Sequence, residues 1–200
     1  MSHQTPADVL VLHAVRTLGD GDTARIAVRI GLPEDAVREH LLDAQAHGWA
    51  AHSSFAGKAG WSLTEAGRVQ GERLLAAELD DVGARAVVEE VYRDFLPLND
   101  VVATACTAWQ LAELGIGEQT MTLGETTATL QGPATALAGI EGRLTAHLDR
   151  FAGYYHHRFA TALSKVGDEP AWITGTDRDS CHRVWFELHE DLIATLGLVR

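Results

Sequence analysis

The stretch from Asp22 to Gly67 constrains the fold of this 200-residue chain more than any other part of the sequence. Residues 23–30 and 33–47 both carry apolar side chains at helical spacing, so each segment is predicted to form a helix with one buried side. Gly31-Leu32-Pro33 separates them, because glycine readily ends a helix and proline readily begins one. We therefore expect two short helices joined by a sharp turn.

Two short extended segments follow, at about 49–55 and 60–63. The turn expected at 56–60 contains Gly57 and Gly60, and glycine allows the backbone conformations that tight hairpin turns require. Thr64 is a good N-terminal cap for a further helix. The predicted order is thus helix, turn, helix, two-stranded ribbon, helix.

This order, with Leu63, Thr64 and Gly67 in the pattern Leu-Thr-x-x-Gly, resembles the winged helix-turn-helix of MarR-like bacterial transcriptional regulators. The resemblance covers about the first third of the chain. It implies that the helix at 33–47 enters the major groove of double-stranded DNA and that the ribbon is the wing. The side chains expected to contact DNA are Arg29, Arg38, His40, Lys58 and Arg68.

The charge balance leaves a second hypothesis open. The chain has a formal net charge of -12, and residues 1–80 carry seven basic and eleven acidic side chains, a balance of -4. Affinity for duplex DNA comes largely from lysines and arginines that neutralise phosphates. The first turns of the helix at 33–47 instead carry Glu34, Asp35 and Glu39. The second hypothesis is therefore that the winged helix is a protein-interaction or regulatory module that does not bind DNA.

The rest of the chain is predicted to be a helical bundle. We expect a winged helix-turn-helix domain at 1–80 and a helical C-terminal domain at 81–200 that dimerises and senses ligands, which makes the fold class mainly α with a small β-wing. A homodimer is what the resemblance to MarR-like regulators implies. Within the bundle we expect Pro97 to break one helix, Pro133 to open a long helix at 134 to about 166 that is bent near Gly153, and a final helix at 181–196.

Residues 118–132 allow more than one interpretation. Their threonine-rich, alternating pattern suits a small hairpin that turns at Gly124, but also an irregular connection or the start of a helix.

A second resemblance concerns the segments around residues 118–132. The tail at 179–197, with the segments at 95–99 and 106–110, is similar to a C-terminal domain of uncharacterised actinobacterial regulators. That resemblance gives no residue a role.

Aromatic and histidine side chains of the C-terminal part indicate a pocket for a small-molecule effector, because ligand pockets combine aromatic walls with a few polar groups. The candidate ligand-binding residues are Trp109, Tyr155, Trp172, His182, Trp185 and His189. A third hypothesis is accordingly an enzyme or ligand-binding protein with its site around His182, Trp185 and His189. Seven residues rise about 10 Å along a helix, so these two histidines cannot share a metal ion, and we expect no metal and no cofactor.

Other features narrow the function classes. The sequence lacks the patterns GxSxG, GxxxxGK[ST] and GxGxxG, so we expect no catalytic residues. No apolar run is long enough to cross a bilayer, and the N-terminus does not resemble a secretory signal. The two cysteines form no CxxC pair, which favours reduced thiols and a cytoplasmic location. The leading hypothesis is a dimeric transcriptional regulator that binds DNA and responds to an effector.

Overall fold

The computed structural model describes residues 2–55, 58–116 and 121–198, and the side chains of Phe55 and Lys58 lie outside the described part. The described chain is mainly helical and has one two-stranded antiparallel sheet, which confirms this much of the predicted fold class. The helices are α1 (Ala7–Leu18), α2 (Thr23–Ile30), α3 (Glu34–Ala46), α4 (Glu65–Asp81), α5 (Arg85–Glu113), α6 (Leu123–Thr145), α7 (Ala160–Lys165) and α8 (Cys181–Leu196), and the strands are β1 (Ala50–Phe55) and β2 (Lys58–Leu63).

The chain divides into two compact units. The N-terminal unit combines His3–Arg85 with Glu190–Arg200, and the central unit combines Ala86–His189 with Met1–Ser2. The last helix, α8, contributes to both, since its residues up to His189 belong to the central unit and those that follow belong to the N-terminal unit.

Capping interactions define α2 and α3. The carboxylate of Asp22 accepts a hydrogen bond of 2.7 Å from the backbone N–H of Arg25, which satisfies a free donor at the start of α2. Gly31 ends the helix with a left-handed φ of 69°, a conformation that costs glycine little. Pro33 immediately precedes α3. The break predicted from Gly31-Leu32-Pro33 is therefore present.

The core of the N-terminal unit forms around α1, which packs against α2, α3, α4 and β2. Burial of these apolar side chains stabilises the unit by roughly 1.5–3 kcal/mol for each large side chain removed from water. The main cluster consists of Val11, Leu12, Ala14, Val15, Ile26, Ala27, Val37, Leu41, Ala44, Ala50 and Trp61. A second cluster joins Val9 and Leu75 to Ala194 of α8.

The two strands pair in an antiparallel register from Ala50 opposite Leu63 to Phe55 opposite Lys58. β1 contacts α3, whereas β2 contacts α1 and α4. An isolated antiparallel bridge joins Gly21, in the segment before α2, to Trp61 of β2. The ribbon is thus attached to the helices on both of its strands.

The pattern Leu-Thr-x-x-Gly has a physical explanation at the start of α4. The Thr64 hydroxyl accepts a hydrogen bond of 3.0 Å from the Gly67 N–H and donates to the carbonyl oxygen of Gly48 at 2.6 Å. Gly67 lies so close to the preceding loop that a Cβ atom there would stand 1.9 Å from the carbonyl oxygen of Trp49. The threonine caps the helix, and only glycine allows this close approach.

The prediction that Pro97 ends a helix is wrong. Helix α5 continues from Arg85 to Glu113 with Pro97 inside it. Proline removes one backbone donor and its ring displaces the carbonyl of the fourth preceding residue, which weakens a helix. Phe95 and Val102, on either side of the proline, are almost completely buried, and this packing stabilises the continuous helix.

Of the three interpretations of residues 118–132, a helix start is correct and a hairpin is wrong, although 118–120 lie outside the described residues. Thr122 and Glu125 form a capping box, in which each side chain bonds to the backbone N–H of the other. Helix α6 begins at Leu123, and Pro133 lies inside it. The alternating threonines continue the helix, and Thr126, Thr127 and Thr129 each donate to the carbonyl four residues earlier.

The segment from Pro133 to about residue 166 is not one long helix as predicted, although the bend expected near Gly153 falls where helical geometry is interrupted. After α6 the chain forms a short 3₁₀ helix, Asp149–Phe151, and a π-helix, Tyr154–Phe159, that leads into α7. Gly153 takes a φ of 93°, which interrupts helical geometry. The carboxylate of Glu141 accepts a hydrogen bond from the backbone N–H of Tyr155 at the start of the π-helix. Helix α8 occupies Cys181–Leu196, as predicted.

Among the described residues, no helix combines the length and the apolar character that crossing a membrane requires.

Candidate functional sites

The residues predicted to contact DNA lie in the N-terminal unit. Arg38 is exposed on α3 and forms an ion pair with Glu34, one turn earlier, at 2.8 Å between Nη2 and Oε1. Arg68 is exposed on α4, while Arg29 of α2 and His40 of α3 are half-buried. The side chain of Lys58, the remaining candidate, lies outside the described part of the chain.

The exposed side of α3 is acidic. Glu34, Asp35, Glu39 and Asp43 are exposed there, and Arg38 is the exposed cation of the same helix. Carboxylates at Glu34 and Asp35 suit the positive end of the helix dipole and so stabilise α3. The same charges repel phosphate, because exposed like charges remain unfavourable within a Debye length of about 8 Å at physiological salt.

Trp61 joins the ribbon to the start of α2. Its backbone N–H donates to the carbonyl oxygen of Gly21 at 2.8 Å, and its carbonyl accepts from the Gly21 N–H at 3.3 Å. The indole is buried, and its Nε1–H donates to the hydroxyl of Thr23 at 3.2 Å. The imidazole of His52, on β1, packs against the indole with 4.8 Å between ring centroids. The sequence alone did not single out this junction, because Trp61 reads as an ordinary apolar strand residue.

Two of the predicted ligand-binding residues, Trp185 and His189, meet in an aromatic cluster of the central unit. Trp185 stacks on Phe95 with ring centroids 4.8 Å apart and contacts Phe159 edge-on at 5.6 Å. His189 packs against the same Phe95 at 5.3 Å. The indole N–H of Trp185 donates to the side-chain oxygen of Asn99 at 3.3 Å. Trp185 is almost fully buried, so this cluster has the packing of a core.

Trp172 has a separate set of partners. Lys165 Nζ lies 4.3 Å from the indole centroid, and the guanidinium carbon of Arg178 lies 5.2 Å from it. The indole N–H donates to Glu169 at 3.2 Å. Cations of the chain itself therefore contact this aromatic ring, which leaves less of its surface for a ligand.

The other three predicted ligand-binding residues are half-buried. The ring of Tyr155 packs against His156 at 4.8 Å. His182 has a pKa that burial lowers, and its backbone N–H donates to Ile173 at 2.9 Å. The Nε1 atom of Trp109 is buried with no hydrogen-bond partner among the described residues.

Sequence reasoning missed a network of charged side chains in the central unit. Arg158, on the π-helix, donates to both oxygens of Asp179 and to Glu187 at 2.6 Å. Arg183 donates to Glu187 from the preceding turn of α8. Burial disfavours the charged guanidinium of Arg158, but the bonds to Asp179 and the charge of Glu187 outweigh this and raise its pKa. Arg158 is 21 residues from Asp179 and 29 from Glu187 in the sequence, so no spacing pattern reveals these two partners.

The two cysteines are free and buried in the central unit. Burial raises the pKa of Cys106 to about 12 and that of Cys181 to about 12. A thiol is nucleophilic as its thiolate, so both groups are chemically inert near neutral pH.

Within residues 2–55, 58–116 and 121–198, no group of three or more His, Cys, Asp or Glu side chains is arranged to hold a metal ion. Comparison of the chain with protein-family models, with curated proteins and with solved structures found no match.

Proposed function

We propose that the N-terminal unit is a winged helix-turn-helix related to those of MarR-like regulators and that the chain is a transcriptional regulator that binds double-stranded DNA. The observation that carries the proposal is the arrangement of α2, the turn at Gly31, α3 and the antiparallel ribbon, with Gly21 bridging to the second strand. A helix-turn-helix places its second helix in the major groove. Here that helix is α3, which buries one side and exposes the other.

Arg38 and Arg68 are the proposed phosphate or base contacts on the described surface, because both are exposed. Arg38 must leave Glu34 to reach DNA, and an exposed ion pair of this kind contributes only about 0.3–0.5 kcal/mol. The four exposed carboxylates of α3 reduce the number of phosphates that can be neutralised. We therefore expect modest affinity and a shallow dependence on salt.

The proposal includes a homodimer that binds operators with two-fold symmetry, and a small-molecule effector that acts on the central unit. A dimer doubles the contact with DNA and so offsets the weak electrostatics of one α3. The aromatic cluster of Trp185, Phe95 and His189 is the proposed effector-responsive region, because a ligand that repacked it would act on α8, which contributes to both units.

The test is a selection of sequences from a random duplex pool at low salt, followed by affinity measurements on the enriched duplex. We expect a symmetric sequence to be enriched, and we expect Arg38→Ala and Arg68→Ala each to weaken binding about five- to tenfold. Arg93→Ala is the matched control, since Arg93 is an exposed arginine of the central unit. Absence of enrichment at micromolar protein would refute DNA binding.

The acidic side of α3 favours a second candidate, a winged helix that binds a protein partner. Val28 on α2 and Leu42 on α3 are exposed by 84% and 51%, which adds apolar contact area to the carboxylates. If no duplex is enriched, a specific protein that binds the wild-type chain and is lost with Glu39→Lys would support this candidate.

A further inference from the structure

The junction at Trp61 connects two parts of the N-terminal unit that would contact DNA at different places. The ribbon is the wing of the proposed function, and α2 carries the turn that orients α3. Two backbone hydrogen bonds with Gly21 and one indole bond to Thr23 converge on this single residue of β2. Thr23 is the first residue of α2, directly after the cap Asp22.

The indole bond of Trp61 reaches α2 itself, whereas its two backbone bonds reach only Gly21, in the segment before α2. The isolated bridge aligns β2 with the segment before α2, whereas the other contacts of the ribbon are with α1, α3 and α4. The indole bond to Thr23 adds a third point of attachment on the other side of Trp61. Because the ring is almost fully buried, its N–H is better satisfied by an acceptor within the protein than left without one.

We propose that Trp61 and Thr23 are positioning residues, whose hydrogen bond holds the ribbon at a fixed place relative to α2 and α3 so that both contact one duplex together. The inference rests on the proposed function. The hydrogen bond between Trp61 and Thr23 makes the wing part of one rigid binding surface. The entropy cost of ordering the wing then falls on folding and not on DNA binding.

The test uses Thr23→Val, which keeps the shape of the side chain and removes the acceptor, with Thr23→Ser as the matched control that restores a hydroxyl. Trp61→Phe removes the donor from the other side. On the selected duplex we expect Thr23→Val and Trp61→Phe to bind about fivefold more weakly, the factor that corresponds to one net hydrogen bond. Thr23→Ser should bind like the wild type.

Hydroxyl-radical footprinting separates positioning from general destabilisation. We expect Thr23→Val to lose the protection beneath the ribbon and to keep the protection beneath α3. Backbone amide exchange should become faster in β1 and β2 by a similar factor, with α1 and α4 unchanged. Should Trp61→Phe fail to fold, the pair Thr23→Val and Thr23→Ser still decides the question.

Two results would overturn the inference while leaving the proposed function intact. One is a Thr23→Val footprint identical to that of the wild type. The other is an equal loss of both protections together with a lower stability of the whole unit. A wild-type chain that selects no duplex overturns the proposed function itself, and the positioning role falls with it.

Discussion

His13 and Asp191 form a buried pair within the N-terminal unit, with 3.0 Å between Nε2 and Oδ1. The two side chains are 8% and 3% exposed, and the Thr195 hydroxyl donates to the same carboxylate oxygen at 3.2 Å. Helix α1 and the last turns of α8 thus meet through polar groups that water does not reach. Burying these polar groups costs desolvation energy, so the intact pair adds little to stability. Removing one partner nevertheless destabilises the fold, because the other partner stays buried without it.

Replacement of one partner of this pair should destabilise the N-terminal unit strongly. We expect Asp191→Leu to lower the free energy of unfolding by about 1–3 kcal/mol, because it leaves the polar imidazole of His13 buried beside an apolar side chain. The double variant His13→Leu/Asp191→Leu should recover a large part of this loss. Chemical unfolding followed by circular dichroism measures both. A single variant as stable as the wild type would contradict the importance of the pair.

The two glycines of α4 should respond oppositely to alanine. In Gly67→Ala the added Cβ would stand 1.9 Å from the Trp49 carbonyl oxygen, so either α4 or the loop must move, and we expect a loss of several kcal/mol. Gly71→Ala has nothing within 4 Å of its Cβ, and alanine is the better helix former by about 1 kcal/mol. Melting temperatures of the two variants should shift in opposite directions. Equal shifts would show that helix propensity alone governs these positions.

The start of α6 should unwind in acid. The backbone N–H of Thr122 and then its hydroxyl bond to the Glu125 carboxylate and lower the pKa of that group below 4.5. A lowered pKa stabilises the helix start above pH 4.5, and this contribution is lost as the pH falls through the lower folded value. The protection of the amides at Leu123–Thr126, which is the slowing of their exchange relative to that of an unfolded chain at the same pH, should therefore fall in acid. In Glu125→Gln the protection of the same amides should depend much less on pH, because the amide side chain does not titrate.

The buried thiols should destabilise the protein in alkaline solution. An unfolded thiol titrates near pH 9.0, whereas Cys106 and Cys181 titrate at about 12 in the folded chain. Between these values the unfolded state loses protons that the folded state keeps, so the free energy of unfolding decreases as the pH rises above 9.0. Cys106→Ala should reduce this slope in chemical unfolding experiments. A thiol reagent at neutral pH should label the wild type only after denaturant is added.

Local chemistry explains which elements could be predicted from the sequence. Gly31-Leu32-Pro33, the Asp22 cap and the Thr64 cap act over a few residues, so α2, α3 and α4 follow from spacing. Pro97 was misleading because the burial of Phe95 and Val102 outweighs the local preference, and that packing depends on partners far along the chain. Threonines after Thr122 suit a strand by propensity, yet the capping box turns the segment into a helix.

The candidate sites were less predictable than the elements. Helical spacing indicated that Trp185 and His189 share one side of α8, and the structure brings both against Phe95. Phe95 belongs to α5, much earlier in the chain, and residue spacing within α8 cannot identify it. Trp172 has Lys165 and Arg178 as its partners, and spacing did not indicate them because loop residues follow no sequence period.

The division of α8 between the units has a consequence for synthesis on the ribosome. Asp191, Ala194 and Thr195 complete the interior of the unit that the first residues begin. During translation, α1–α4 are synthesised first. His13 can contact Asp191, and Val9 and Leu75 can pack against Ala194, only after nearly the whole chain has been made. Closing so long a loop is slow, and the apolar surface at Val9 and Leu75 stays uncovered by α8 meanwhile. A nascent chain stalled before Glu190 would therefore be a substrate for chaperones, and release of the last turns of α8 would end that dependence.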